Sequence, residues 1–321
     1  MKKEDYLEKI NSGWRLSPED QCGIFDLPKE DIEEVFMAYI LRRRLCQTAQ
    51  LRIFSLTKKM AREFLLKYIE RYSLCDKAQL EIFRFFSKSV ACDILEYYVS
   101  MEDRELCHEA QLQIFNFPAT MVVDLFCQYM HHDEICKPAQ VKLFSLPPSK
   151  VKEILFKFSS YGELCHNAET KIFSLPPKIA REVLMDYVQY HPLWADNELL
   201  LFKLPPEIVR DVLVRYKHRL CEGAELRIFN LPTKIATEIF GKRIEKFSLC
   251  PKAEEKLFEL PEDEARQILI KYLSIRGLSM SAQMKIFALP EDMAKEVFAQ
   301  HSRRWLTCTE AKEKAKELGW I

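Results

Sequence analysis

The chain has 321 residues, and its 48 basic side chains balance its 48 acidic ones, so the formal net charge at pH 7 is zero. A zero balance provides no global field that would attract nucleic acid or an anionic membrane surface. The charged first residues, MKKEDYLEKINSG, lack the apolar core of a signal peptide. No run approaches the ~18 apolar residues of a membrane span. We therefore expect a cytoplasmic protein with no membrane partner.

One phrase, close to LC-x-x-A-Q-L-x-I-F-x-L-P-x-x-x-A-x-E-V-L-x-x-Y, recurs ten times along the chain. Its anchor residues are Phe25, Phe54, Phe83, Phe115, Phe144, Phe173, Phe202, Phe229, Phe258 and Phe287. Successive anchors are 29, 29, 32, 29, 29, 29, 27, 29 and 29 residues apart. A fixed period in this range is typical of helical arrays, in which each unit packs on its neighbours. Positions within a repeat are numbered below from its anchor Phe, called n.

Each repeat has the pattern of a helical hairpin. Apolar residues at n−5, n−3, n−1 and n have helical spacing and predict a first helix, helix A, of about three turns. It begins near n−8, as Ser17 followed by Pro18 indicates. Pro at n+3, present in eight repeats, ends helix A and opens helix B. Apolar residues at n+7, n+10, n+11 and n+14 predict the buried face of helix B.

These hairpins predict an all-α fold, a right-handed α-α superhelix or solenoid of about ten hairpins with a period near 29 residues. We expect an N-terminal helical cap at residues 1–15, one continuous repeat array at 16–307 and a C-terminal capping helix at 308–321. The third repeat has three extra residues and the seventh is two residues short. The seventh repeat also has Asn197 where Ala is the rule, and we expect a local change of twist near both repeats.

The hairpin resembles HEAT, armadillo and tetratricopeptide repeats in plan. It is shorter than the ~40 residues of a HEAT unit and lacks the Trp and Gly pattern of the tetratricopeptide motif. The block more closely resembles uncharacterised bacterial proteins built from short Y-I-x-x-x-x-L-C-x-x-A-Q-L-x-x-F-x-L repeats. That resemblance covers residues 16 to about 308 and implies a helical repeat fold with no known activity.

Two columns of equivalent positions are unusual for a helical core. Eight of the eleven cysteines stand at n−8. Stacked helices lie ~9–10 Å apart, too far for disulfides, so we predict reduced thiols at helix starts, with one reactive thiol as the alternative. Position n−4 is always Gln or Glu: Gln21, Gln50, Gln79, Gln111, Gln140, Glu169, Glu198, Glu225, Glu254 and Gln283. This position lies on the apolar face of helix A, here called the apolar arc, where a polar side chain needs a partner. It therefore predicts hydrogen bonds to free amides at helix starts. A polar stripe in a ligand groove is the alternative.

Three further columns carry charge or aromatic rings. Basic residues at n+8 and acidic residues at n+9 predict ion pairs between neighbouring B helices. Tyrosines at n+14 predict either inter-repeat core or a recognition row for a partner. The recognition candidates are Tyr68, Tyr98, Tyr129, Tyr187 and Tyr216. The basic n−2 row predicts either a solvated face or phosphate contacts. Its members are Arg52, Lys142, Lys171, Arg227, Lys256 and Lys285.

Catalytic and metal signatures are weak. The segment CQYMHHDEIC has ligand-type residues in Cys127, His131, His132, Asp133 and Cys136, but it lacks the paired spacing of a structural zinc site. The nucleotide-binding, serine-hydrolase and zinc-protease motifs are missing from the sequence. We therefore predict a non-enzymatic, monomeric scaffold without metal or cofactor. It would bind a peptide, helix or protein surface along a concave face, with nucleic-acid binding through the n−2 row as the alternative.

Overall fold

The computed structural model describes residues 1–101, 103–130 and 134–321. Across these residues the chain forms 22 α-helices and no β-strand, which confirms the predicted all-α class. The contacts divide it into two compact units, Met1–Cys165 and His166–Ile321. Within the described residues, no helix is both long and apolar enough to cross a membrane.

The first unit contains the N-terminal helix and five hairpins. Helix α1 comes first, and the even-numbered helices α2 to α10 are then the A helices and the odd-numbered α3 to α11 the B helices. They are α1 Lys3–Asn11, α2 Pro18–Gly23, α3 Lys29–Ile40, α4 Gln47–Arg52, α5 Lys58–Ile69, α6 Asp76–Phe85, α7 Lys88–Val99, α8 His108–Ile114, α9 Ala119–Tyr129, α10 Lys137–Leu143 and α11 Pro148–Phe158.

The second unit contains five further hairpins and the C-terminal helix. Helix A is again even-numbered, from α12 to α20, and each is followed by its helix B. They are α12 His166–Ile172, α13 Pro177–Tyr187, α14 Ala195–Leu201, α15 Pro206–Arg215, α16 Glu222–Ile228, α17 Thr233–Arg243, α18 Pro251–Leu257, α19 Glu262–Leu273, α20 Met280–Lys285, α21 Glu291–Arg304 and α22 Thr309–Glu317.

Except in the third repeat, helix A has six or seven residues, about two turns, and is shorter than the three turns that the sequence predicts. Its α-helical part has six residues in α2 and ten in α6. In the first, second and tenth repeats the anchor Phe lies in a short 3-10 helix that follows, as in Ile24–Asp26. The chain must turn before the Leu-Pro dipeptide, because proline cannot continue the hydrogen bonding of helix A.

Within each unit, like helices pack on like. In the first unit α4 packs on α6 and α7 packs on α9, and in the second α14 packs on α16 and α15 packs on α17. Alanine at n−5 has no exposed surface in eight repeats, and the Ile or Leu at n−1 is buried in all ten. The small alanine lets neighbouring A helices approach closely, while the larger side chain fills the space towards helix B. The change of twist expected at the third and seventh repeats stays a prediction.

Candidate functional site

Side chains at n−4 join each repeat to the next. In all ten repeats the Gln or Glu side-chain oxygen accepts a hydrogen bond from the backbone N–H at n−8 of the following repeat, or of Cys308 after the tenth. The N···O distances are 2.6–2.9 Å, from Gln21 with Cys46 to Gln283 with Cys308. That N–H precedes a helix and has no partner within it. The predicted bonding to amides at helix starts is therefore confirmed.

The amide of each glutamine at n−4 is bonded as well. In all six Gln repeats its Nε2 donates to the carbonyl oxygen at n−9, five residues earlier, over 2.9–3.4 Å. These glutamines are at most 6 % exposed. A buried amide left unbonded would cost about 1–3 kcal/mol, so the two bonds explain why a polar residue is stable in the apolar arc.

Glutamate at n−4 needs a different set of neighbours, because a carboxylate cannot donate. Tyr216 donates its hydroxyl to Glu198 over 2.8 Å, and Tyr272 donates to Glu254 over 2.6 Å. In three of the six Gln repeats the bond is reversed: Gln50, Gln79 and Gln111 donate to the hydroxyls of Tyr68, Tyr98 and Tyr129 over 3.0–3.4 Å. The tyrosine hydroxyl can fill either role, which lets the repeat accept Gln or Glu at the same position.

The tyrosine column lies in the core between repeats. The five recognition candidates, Tyr68, Tyr98, Tyr129, Tyr187 and Tyr216, are between 0 and 3 % exposed. Burial is the main cause that raises the pKa of Tyr68 to about 12. The structure therefore places these rings as inter-repeat core, the first of the two interpretations.

Arg243 replaces tyrosine at n+14 of the eighth repeat. It is 4 % exposed and donates to the carbonyl oxygens of Tyr216 and His218 over 3.3 and 2.9 Å. Its guanidinium lies 5.6 Å from the ring centroid of Tyr216 and 5.1 Å from that of Phe247. Burial lowers the pKa of Arg243 and raises the pKa of the n−4 carboxyl of Glu225, while the attraction between their charges opposes both shifts. This arginine thus compensates a buried carboxylate where the tyrosine hydroxyl is missing.

The basic n−2 row contacts the preceding repeat. Lys142 donates to the carbonyl oxygen of Leu112 over 3.1 Å, and Arg227 donates to that of Leu199 over 3.0 Å. Lys142 also lies 5.3 Å from the ring centroid of Phe115, the anchor of the preceding repeat, and Lys256 lies 5.9 Å from that of Phe229. Cations at a helix C-terminus and over a ring face stabilise the packing.

The remaining members of the row differ in exposure. Arg52 is half-buried and pairs with Asp26, while Lys171 and Lys285 are exposed. A structural role thus accounts for Arg52, Lys142, Arg227 and Lys256, and phosphate contact by the row stays a prediction.

Four ion pairs of the predicted kind join neighbouring B helices among the pairs that the structure describes. Arg62 pairs with Asp93, Arg181 with Asp211, Arg210 with Glu238 and Arg266 with Glu296, over 2.7–3.9 Å. In three of the pairs the n+8 cation meets the n+9 carboxylate of the next repeat, and in the third repeat, where the column is shifted by one residue, Arg62 meets Asp93 at n+10. Most of these side chains are at least a third exposed, so solvent screens each pair and a single pair adds little stability, while the regular spacing of the pairs favours one register of the hairpins.

All eleven cysteines are free thiols. In the n−8 column, Cys221 lies with its Sγ 3.8 Å from the carbonyl oxygen of Ala195 in the preceding repeat. Burial raises the pKa of Cys107, Cys136 and Cys221, and it raises the pKa of Cys250 to about 11. Amides at the helix start act in the opposite direction but are outweighed. These four thiols remain protonated at neutral pH, which disfavours the alternative of a reactive thiol among them.

The candidate metal ligands of the CQYMHHDEIC segment fall partly outside the described residues, because His131, His132 and Asp133 do. Over the parts of the chain that the structure describes, no three His, Cys, Asp or Glu side chains are grouped to hold a metal ion.

The first unit contains a cleft of about 830 Å³ at the starts of α6 and α8. Its walls come from the loops between hairpins in the third to fifth repeats. The lining residues are Ser73, Leu74, Asp76, Gln79, Tyr98, Asp103, Glu105, Leu106, Cys107, His108, Glu109, Gln111, Tyr129 and Glu134. We call it the acidic cleft.

The floor of the acidic cleft is an internally bonded polar surface. Gln79 donates to the carbonyl oxygen of Glu105 over 3.0 Å, and Tyr98 donates to the same oxygen over 3.4 Å. Gln111 donates to the hydroxyl of Tyr129 over 3.0 Å. These groups are satisfied by the fold, so a ligand would contact mainly the exposed rim.

The rim of the acidic cleft carries five exposed carboxylates, on Asp76, Asp103, Glu105, Glu109 and Glu134. None of the five forms an ion pair with a described residue, and the described lining contains no Lys or Arg. Asp76 and Glu109 belong to the first turns of α6 and α8, where a carboxylate stabilises the helix. The other three lie in loops, where no such stabilisation explains them.

Comparison with known proteins adds no assignment for this cleft. A scan against protein-family models and searches of curated proteins and of solved structures found no match to the chain. The sequence does contain a signal for the cleft at position n−10, just before the Leu or Ile at n−9. This position is Glu105 in the fourth repeat and Glu134 in the fifth, whereas it is Arg15 and Arg44 in the first two. Periodicity alone did not identify it, because the acids occupy loop positions with no fixed role in the repeat.

Proposed function

We propose that the protein is a non-enzymatic binding scaffold whose acidic cleft takes a basic peptide segment of a partner protein. The observation that carries the proposal is the group of five exposed carboxylates around one cleft, none of which forms an ion pair with a described residue. Like charges held together repel one another and weaken the fold. A cationic ligand removes that repulsion and gains the charge complementarity that guides protein association.

The repeat architecture supplies a suitable frame for such a site. Within each unit the n−4 bond ties a hairpin to the next, so the loops that bear Asp103, Glu105 and Glu134 project from a well-bonded base. We propose that the hairpins stack as the solenoid that the period predicts, because the same contacts between repeats recur along both units. In such an array a peptide can contact loops of several repeats at once.

The alternative, nucleic-acid binding through the n−2 row, has less support. Four of its six cations contact the preceding repeat or pair with a carboxylate. The carboxylates of the acidic cleft would in addition repel a phosphate backbone.

The experiment titrates a fluorescein-labelled decapeptide of alternating arginine and serine into the full chain. Wild type is compared with a triple variant, Asp103→Asn, Glu105→Gln and Glu134→Gln. Asparagine suits position 103, where φ is 61°. We expect the triple variant to raise the Kd at least about tenfold, through the loss of three charge contacts. A glutamate-serine decapeptide should not bind.

A matched control removes three exposed carboxylates of the second unit, with Glu259→Gln, Asp263→Asn and Glu313→Gln. This control changes the net charge equally and should bind the peptide as wild type does. Equal weakening in both triple variants would show a general charge effect and would contradict a site at the cleft. Tighter binding of a single-stranded RNA than of the peptide would favour the nucleic-acid alternative.

A further inference from the structure

The tenth repeat contains a histidine at the position that tyrosine holds in most repeats. His301, at n+14 on α21, has 0 % of its surface exposed. Neither of its ring nitrogens has a hydrogen-bond partner among the described residues. Gln283, the n−4 residue of this repeat, donates instead to the carbonyl oxygens of Leu278 and Leu306 over 3.1 and 3.3 Å.

The segment that follows covers this repeat. Helix α22 packs on α20 and buries Ala311 and Ala315. Trp320 stacks on Phe287 with ring centroids 5.3 Å apart and meets Phe298 at 5.9 Å. Residues 306–321, here called the closing segment, thus pack on the tenth hairpin, and the carbonyl oxygen of Leu306 accepts from Gln283, whose counterparts in other repeats contact the n+14 side chain.

We propose that His301 makes this closure pH-sensitive, because protonation of its imidazole opens the closing segment from the tenth repeat. An imidazolium must donate from both ring nitrogens, and the closed structure offers neither of them an acceptor. A charge buried without partners is strongly unfavourable, so the proton binds only where water can reach the ring. This pH-dependent opening is independent of the acidic cleft, which lies in the other unit.

The surroundings of His301 contain no compensating charge. Burial lowers its pKa, and no ionisable side chain of α19, α20, α21 or α22 contributes to the shift. Two ionisable groups already have hydrogen-bond partners: the tyrosine at the same position in the preceding repeat and an arginine three residues after His301 on α21. Tyr272, its equivalent on α19, donates to Glu254 over 2.6 Å, and Arg304 on α21 donates to the carbonyl oxygen of Ser274 over 2.8 Å.

The sign of the effect follows from the lowered pKa. Below the unperturbed pKa of about 6.5, the open form takes up a proton that the closed form cannot, so closure is stable above that pH and weakens as pH falls. Between pH 7.5 and 5.0 the opening equilibrium should rise by at most about thirty-fold.

The test is hydrogen–deuterium exchange of the full chain at pH 7.5 and 5.0, corrected for intrinsic exchange and read in peptides covering residues 291–317. Wild type should lose protection there at pH 5.0. His301→Phe and His301→Tyr, which cannot titrate in this range, should stay protected, and His166→Gln, at a partly exposed histidine, should respond like wild type. The tyrosine variant restores the usual repeat residue and guards against misfolding of the phenylalanine variant. A wild type whose protection is the same at both pH values, or a tyrosine variant that opens like wild type, would overturn the proposal.

Discussion

Replacing Gln111 by alanine is expected to lower the free energy of unfolding by about 1–3 kcal/mol. The change removes the acceptor for the N–H of Cys136, bonded over 2.7 Å, and the donor to the carbonyl oxygen of Leu106, bonded over 3.1 Å. Both backbone groups lie between repeats, where water cannot easily replace the lost partner. Chemical denaturation of the full chain measures the change.

Two comparison variants make that measurement specific. Gln113→Ala alters an exposed glutamine on the same helix and should change stability by less than about 0.5 kcal/mol. Gln111→Glu keeps an acceptor for Cys136 and matches the residue of the sixth to ninth repeats, so it should cost less than alanine. Equal stability of the Gln111→Ala and Gln113→Ala variants would refute a structural role for the n−4 column.

Replacing Arg243 by alanine is expected to have the larger effect, a loss of about 3 kcal/mol. It would leave the buried carboxyl of Glu225 without its nearby positive charge and would empty the space between Tyr216 and Phe247. Thermal and chemical denaturation at pH 7 would report the loss.

Arg243→Tyr provides the matched control. The hydroxyl of the introduced tyrosine should donate to Glu225, as Tyr216 donates to Glu198 and Tyr272 donates to Glu254. This variant should therefore regain most of the free energy of unfolding that the alanine variant loses. A tyrosine variant as unstable as the alanine variant would show that Arg243 acts through its own backbone contacts and not by compensating the carboxylate.

The hairpin and the n−4 bonds could be predicted from the sequence because both follow from local rules. Helical spacing, the Leu-Pro dipeptide and a start at n−8 define two short helices in every repeat. A polar residue that never leaves the apolar arc requires a partner, and the free amides at helix starts are the nearest candidates. The acceptor of the Cys46 amide is Gln21, 25 residues earlier. Although this pair is distant in sequence, the same pair of positions recurs in every repeat.

The roles of the tyrosine and basic columns could not be settled in the same way. Periodicity places a side chain on a face of its own helix, but the neighbouring repeat decides whether that face is covered. Tyr68 is fully buried by such a neighbour, while Lys142 at n−2 reaches back to Phe115. The acidic cleft depends on loop residues such as Asp103, whose positions follow no helical period.

Residue-resolved amide exchange at the n−8 positions tests most directly whether each repeat is held to the next by its n−4 side chain. The first amides of a helix have no partner within the helix and ordinarily exchange fast. The N–H of Cys46 and of Cys107, bonded over 2.6 and 2.8 Å to Gln21 and Gln79, should exchange at least about tenfold more slowly than the N–H of Gln47 and of His108 beside them. Equal exchange of the neighbouring amides, after correction for intrinsic rates, would contradict the account.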